Sequence, residues 1–116
     1  SIDGIHFASK VEADRYVVLK GLFPKSLRIH PKYDLTIGNT KICDYIADFD
    51  YVIASGDVVV EDVKGALPTP VFNLKKKLMQ ALYGIEVREV YWRKGGWATG
   101  RPKKKRGKAD GRKVNE

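Results

Sequence analysis

From Ile42 to Ile53 the chain alternates with a period of two, and nothing else in it restricts the possible folds as much. Cys43, Tyr45, Ala47, Phe49, Tyr51 and Ile53 fall on one side, and Asp44, Ile46, Asp48, Asp50 and Val52 on the other. Such alternation specifies a half-buried strand. Ser55-Gly56-Asp57 follows as a tight turn, and Val58-Val59-Val60-Glu61-Asp62-Val63-Lys64 reads as the returning strand of a hairpin.

Around this hairpin the remaining elements are legible from their ends. Ser9-Lys10-Val11-Glu12 has capping-box spacing and opens a helix to about Lys20, before Gly21. Residues 27–37 read as one extended segment, with Pro31 favouring an edge position, and Gly38-Asn39 is a turn. Thr69 caps a second helix with Pro70 at its first position, running through Tyr83 to a stop at Gly84. Ile85 to Trp92 alternates as a last strand, and the compact domain is expected to end between residues 94 and 100. The expected fold is an α/β domain, a mixed sheet with a central hairpin flanked by helices. It spans residues 1–96, with a basic C-terminal tail over 97–116.

The hairpin carries an anomaly. Aspartate is depleted in strands, yet Asp44, Asp48 and Asp50 share one face and Asp62 sits in the returning strand. A solvent-facing sheet surface tolerates acids, but like charges crowded on one face are destabilising unless a cation or a base compensates. Two close carboxylates suit Mg²⁺, with Mn²⁺ as a substitute, because hard divalent cations take oxygen ligands. Strand parity separates the two acids of the returning strand. Asp62 and Lys64 point one way and Glu61 the other, which leaves Glu61 a supporting or surface residue.

If Asp48 and Asp62 share a cation, the turn between them is constrained. A three-residue loop gives an even register and sets both aspartates on one face. A two-residue loop at Ser55-Gly56 would separate them unless a β-bulge intervened.

Other residues leave two readings open. Glu12 either closes the capping box or points inward with Tyr16 and Leu19, which share its helical face. Lys75 falls among Val71, Phe72, Leu78, Met79 and Leu82 on the second helix; it either snorkels past the core or reaches an anion. His6 and His30 have no partner at useful spacing and read as structural or surface residues. Burial is expected for Trp92 in the last strand, whereas Trp97, in a glycine-rich stretch, is the better ring for stacking on bases.

Composition narrows the class. The 116 residues suffice for one core, and no apolar run approaches the roughly 20 residues of a membrane span. One cysteine, Cys43, excludes an internal disulfide and fits a core position, and the start of the chain lacks signal-peptide regions. An intracellular protein without a membrane partner is therefore expected. Of the net charge of +8, residues 101–116 carry +6 through eight basic and two acidic side chains. Such a run is either a solubilising end or a polyanion-binding arm. As an arm it would offer Arg101, Lys103, Lys104, Lys105 and Arg106, with Trp97, to nucleic acid.

Glu12, the strand Tyr45-Ile46-Ala47-Asp48-Phe49, the triplet Asp62-Val63-Lys64 followed by Gly65, and the helix opened by Thr69-Pro70 together resemble the PD-(D/E)XK nuclease signature. In particular they resemble a family of small phage and prophage proteins described as Holliday-junction-resolvase-like or RecB-like nucleases. The resemblance covers about residues 5–92 and not the basic tail. It implies a restriction-endonuclease-like core and a Mg²⁺-dependent DNA endonuclease. In that reading Asp48, Asp62, Glu12 and the Val63 carbonyl hold the metal, and Lys64 serves the attacking water or the charge on the phosphate. Lys75 would contact the scissile phosphate or the carboxylates. It also implies a host-cytoplasmic role in phage DNA recombination, replication or packaging, on branched or single-stranded DNA. Resolving a junction would require a homodimer. The alternative from another class is a non-catalytic nucleic-acid-binding phage protein.

Overall fold

The computed structural model describes residues 2–101. Helix α1 runs Lys10–Leu22 and α2 runs Pro70–Tyr83. The strands are β1 (Arg28–Ile29), β2 (Lys32–Ile37), β3 (Thr40–Ile46), β4 (Phe49–Val52), β5 (Val58–Val63), β6 (Arg88–Arg93) and β7 (Gly96–Thr99). The fold is mixed α/β, a five-stranded sheet ordered β1-β4-β5-β6-β7 plus the two-stranded hairpin β2-β3. Among the described residues no helix is long and apolar enough to cross a membrane.

Both helices begin at their expected caps, but α1 continues past the expected stop at Gly21 to Leu22, where the Phe23 N–H bonds the Leu19 carbonyl at 2.7 Å. The Ser9 hydroxyl accepts the Glu12 N–H at 3.1 Å, and the Thr69 hydroxyl accepts that of Phe72 at 3.1 Å. Gly84 closes α2 in the left-handed region at φ 68°, and its N–H reaches the Gln80 carbonyl.

Each helix covers one side of the sheet. Tyr16 and Leu19 of α1 pack with Phe7, Phe49 and Tyr51. Phe72 and Met79 of α2 pack with Leu35, Tyr45, Ala47, Val60 and Val87. Burying a side chain such as Phe49 contributes on the order of 2–3 kcal/mol, so these two clusters hold the helices to the sheet. Strands β5 and β6 are parallel, with α2 as the crossover between them, while β4-β5 and β6-β7 are antiparallel.

The expected strand 42–53 is instead two strands in two sheets, and the segment 27–37 is likewise divided. The reason lies at His30-Pro31. His30 adopts φ 53°, and Pro31 has no N–H to give. Opposite them, Ala47-Asp48 bends as well. Hydrogen bonds still cross the bend, from the His30 N–H to the Asp48 carbonyl at 2.9 Å and from the Ala47 N–H to the Pro31 carbonyl at 3.0 Å. One register runs through it, with Ile29 facing Phe49 on one side and Lys32 facing Ile46 on the other. The two expected segments thus form one long ribbon, kinked where His30 faces Asp48.

The last expected strand, Ile85 to Trp92, starts later, at Arg88, and does not end the fold. Strand β7 pairs with β6 through Trp92↔Trp97 and Val90↔Thr99, so folded chain crosses the expected boundary at residue 96.

Candidate functional site

The kink is where the acidic side chains converge. The connection between β4 and β5 is the three-residue loop Ala54-Ser55-Gly56: the Ile53 N–H meets the Asp57 carbonyl at 3.0 Å, and Gly56 takes the positive φ of 92° that the loop needs. The ladder runs as far as Phe49 opposite Glu61; at Asp48 the N–H turns to that same Glu61 carbonyl at 3.2 Å, and the Asp48 and Asp62 carboxylates lie close enough to act on one another. Asp48 also reaches past Asp62, its Oδ2 accepting the Val63 N–H at 2.7 Å. Val63 therefore enters the site through its backbone, with its N–H as the observed contact.

Glu12 reaches the same point from α1. Ser9 caps the helix, but the Glu12 carboxylate turns inward, where Oε2 lies 2.8 Å from Nε2 of His30. Glu12, His30 and Asp48 each offer one ligand atom, and these atoms all lie within 4.8 Å of one another. The expectation that His30 is a structural or surface residue without a partner does not hold, because its left-handed backbone brings the imidazole into this cluster.

Asp62 binds the Tyr45 hydroxyl, which donates at 2.5 Å, and its other oxygen lies 3.1 Å from the Lys64 ammonium. Lys64 in turn sits over the Phe72 ring, 3.4 Å from its centroid, which holds the cation beside the carboxylate. Lys75 is half-buried on α2 and lines a cleft of about 290 Å³ with Asp62, Tyr45, Thr69 and Phe72. The cleft joins the predicted Lys75 to the predicted triplet.

The other acids of the hairpin do not belong to this cluster. Asp50 pairs with Arg28 at 2.9 and 2.6 Å and accepts the Tyr33 hydroxyl. Asp44 lies in the other sheet beside Lys41 at 2.7 Å. The expected crowding of four carboxylates is thereby resolved by base partners for two of them. Glu61, expected as a supporting or surface residue, is 0% exposed. It makes two 2.9 Å hydrogen bonds with Arg15 and accepts the Tyr51 hydroxyl. Parity separates it from Asp62 as expected, but it is the anchor of α1 to the sheet.

Electrostatics single out Asp48. Burial pushes its carboxyl upward, the charges of Asp62 and Glu12 push it the same way, and the Val63 N–H pulls it back, which leaves it at about 7. Burial, followed by the Asp62 charge, likewise raises the Tyr45 phenol far above its ordinary value, so it remains a donor. A donor set of carboxylate oxygens and one imidazole, strained by its own negative charge, fits a divalent cation.

Over residues 1–97 the chain matches the family described as Protein of unknown function (DUF1064). The chain belongs to that family. No curated protein and no solved structure matches it. Glu12, His30, Asp48, Asp62, Lys64 and Lys75 all fall inside the span that defines the DUF1064 domain, whereas the basic run from Arg101 falls outside it.

The residues expected to touch nucleic acid are placed differently from one another. Trp97 of the DUF1064 domain is half-buried beneath Arg15, whose guanidinium lies 5.1 Å from its ring, while Trp92 is 51% exposed. The burial expected for Trp92 does not hold: it is the exposed ring, while Trp97, its partner across the β6-β7 ladder, is the one that Arg15 covers. Arg101 packs back on the domain, with Nε 3.0 Å from Oε1 of the buried Glu89. Lys76 holds the same carboxylate at 2.8 Å. Burial would push Glu89 up, but Arg101, Lys76 and Tyr91 hold it at about 2. Lys103, Lys104, Lys105 and Arg106 lie outside the described residues.

Proposed function

We propose that the DUF1064 domain is a metal-dependent endodeoxyribonuclease of PD-(D/E)XK type on a restriction-endonuclease-like core. One observation carries the reading. Glu12, His30 and Asp48 bring three ligand atoms within 4.8 Å of one another, and the Asp62-Val63-Lys64 triplet lies directly beside them. Asp48, Glu12, His30 and Asp62 would hold Mg²⁺ or Mn²⁺, and the imidazole tilts the preference toward Mn²⁺. A cation bound there would polarise the scissile phosphate and lower the pKa of a water. The chain's own groups supply the rest. Lys64, held between Asp62 and Phe72, would stabilise negative charge that grows on the phosphoryl oxygens. Lys75, which lines the cleft with Asp62, would offer a second cation. Hydrolysis adds water across one P–O bond by in-line attack, leaving a phosphate on one strand end and a hydroxyl on the other.

With so small a core, recognition is of shape or single-strand character rather than sequence, and branched or single-stranded DNA of phage recombination, replication or packaging is the substrate class. Incubation with Mn²⁺ or Mg²⁺ and single-stranded, duplex, flap and four-way-junction DNA tests the reading. Cleavage by the wild type and none by Asp62→Asn is the expected result. Failure to cut any of the four, or equal cutting by the variant, overturns it.

The charge of residues 101–116 also suits a non-catalytic nucleic-acid-binding protein. That reading leaves the cluster at the kink unexplained. Thermal stabilisation by Mn²⁺ separates the two, since a cation that binds only the folded state raises Tm.

A further inference from the structure

Beside the carboxylate cluster lies a second, more apolar cavity of about 400 Å³, lined by Val11, Lys64, Leu67, Trp92 and Arg93. Its position is set by residues already described: Val11 precedes Glu12 on α1, and Lys64 is the residue that pairs with Asp62. Its outer wall is Trp92, held by an edge-on contact with Trp97 at 4.9 Å between centroids. Leu67 is also strongly exposed, so the rim presents apolar surface that folding has not covered. Cations flank it. Lys64 and Arg93 both line the cavity, and Arg93, whose Nη2 donates to the Gly100 carbonyl at 3.1 Å, has a buried Nε–H with no hydrogen-bond partner among the described residues.

We propose that this cavity is a subsite for one unpaired nucleobase, stacked on Trp92, next to the phosphate that Lys64 faces. Chemistry and spacing both support the assignment. An aromatic ring, an aliphatic wall and flanking cations are what binds a base together with its phosphate, and the π-face of any base suits them. A base in a duplex is unavailable for such stacking without being unpaired, so the subsite selects single-stranded or branched nucleic acid over duplex. It rests on the nuclease reading only for the role of the neighbouring phosphate. The stacking itself requires no hydrolysis.

The test is binding without turnover. With EDTA present, oligothymidylate and oligouridylate are titrated into the full chain while tryptophan fluorescence is followed, Trp92 and Trp97 being the chain's two tryptophans. Quenching is expected with single strands. Trp92→Ala should weaken single-strand binding about tenfold, Trp92→Phe should restore most of it, and duplex affinity should change in neither. The stronger of the two oligomers identifies the preferred sugar. Unchanged single-strand affinity in Trp92→Ala, or an equal loss on duplex, overturns the subsite. Because Trp92 is half-exposed, circular dichroism of Trp92→Ala should match wild type; if it does not, Trp92→Leu, which keeps the apolar wall but not the ring, gives the same comparison. Selective binding without cleavage under Mn²⁺ would leave the subsite standing and remove the nuclease.

Discussion

Nε2 of His30 lies 2.8 Å from Oε2 of Glu12, and through this contact the kinked ribbon is tied to the start of α1. Each of the two offers an atom within 4.8 Å of one of Asp48 that could hold a cation. Replacing His30 with Ala should therefore weaken Mn²⁺ binding by at least about tenfold, by analogy with lost support at metal sites. Isothermal titration, or the Mn²⁺ concentration needed for half of the Tm shift, measures it. An unchanged midpoint would remove His30 from the site.

Asp62→Asn and Lys64→Ala should each reduce kcat by about three orders of magnitude or more while leaving the far-UV spectrum unaltered. Loss of metal-assisted activation or of charge stabilisation is worth several kcal/mol of barrier. Neither side chain is part of the two apolar clusters. Wild-type rates in both variants would displace the reaction from this cleft.

The pH dependence of stability should report Asp48. Its folded-state carboxyl is raised to about 7, well above the ordinary value near 4. The folded state thus binds the proton more tightly than the unfolded state, so the stability this contributes is complete below the unfolded value and is lost as pH rises through about 7. In EDTA, the Tm of wild type should fall between pH 5.5 and 8 by more than that of Asp48→Asn. Mn²⁺ should restore the wild type more at pH 8 than at pH 5.5, because protons compete for the same oxygens. Parallel melting profiles for the two proteins would contradict the assignment.

Glu61 differs from its neighbour Asp62 in what its loss should do. It is fully buried against Arg15, itself only 11% exposed, so Glu61→Ala strands a buried guanidinium. A cost of about 3–5 kcal/mol is expected, and replacing both partners with apolar residues should recover much of it. Urea unfolding of the single and double variants measures this. A loss below about 1 kcal/mol for Glu61→Ala would show that Arg15 finds water instead.

Truncation should divide the basic run at one residue. Removing 102–116 deletes a net charge of +5 and should flatten the salt dependence of DNA binding by about 0.7–0.9 for each phosphate no longer neutralised. Removing Arg101 as well should lower Tm further, because Glu89 then keeps only Lys76 of its two cation partners among the described residues. Equal melting temperatures for the two truncations would make the Arg101 pairing dispensable.

How much of the fold and the cluster is legible in the sequence follows the reach of each physical signal. Caps and stops are local, and α2 runs from Pro70 to Tyr83 as Thr69 and Gly84 imply. Parity is local too, so Asp62 and Glu61 separate correctly, and the three-residue loop fixes the register as far as Phe49 opposite Glu61. His30 is hidden by something non-local. From the turn at Gly38-Asn39, an unbroken ladder would set His30 opposite Ala47. A bulge shifts the pairing between Thr36↔Lys41 and Leu35↔Cys43, leaving Ile42 as the extra residue and bringing His30 opposite Asp48. No residue type in that stretch announces a bulge. The partners of Asp44 and Asp50 are equally hidden, since Arg28 meets Asp50 only after β1 and β4 pair, and Lys41, three residues before Asp44 on the same strand, shares its face only because of that bulge. The Gly95-Gly96 pair reads as an ending because glycine runs usually mark linkers, but Gly95 turns the chain at φ 75° into one more strand.

The backbone of His30 sits at φ 53°, a region that costs a residue with a Cβ roughly 1–2 kcal/mol relative to glycine. His30→Gly or His30→Asn would relax that strain, and either change would delete the imidazole that the strain presents. Selection for a sturdier chain and selection for an intact cluster therefore pull on this one position in opposite directions. A library screened only for heat resistance should drift away from histidine here, and one screened for the proposed nuclease activity should pin it.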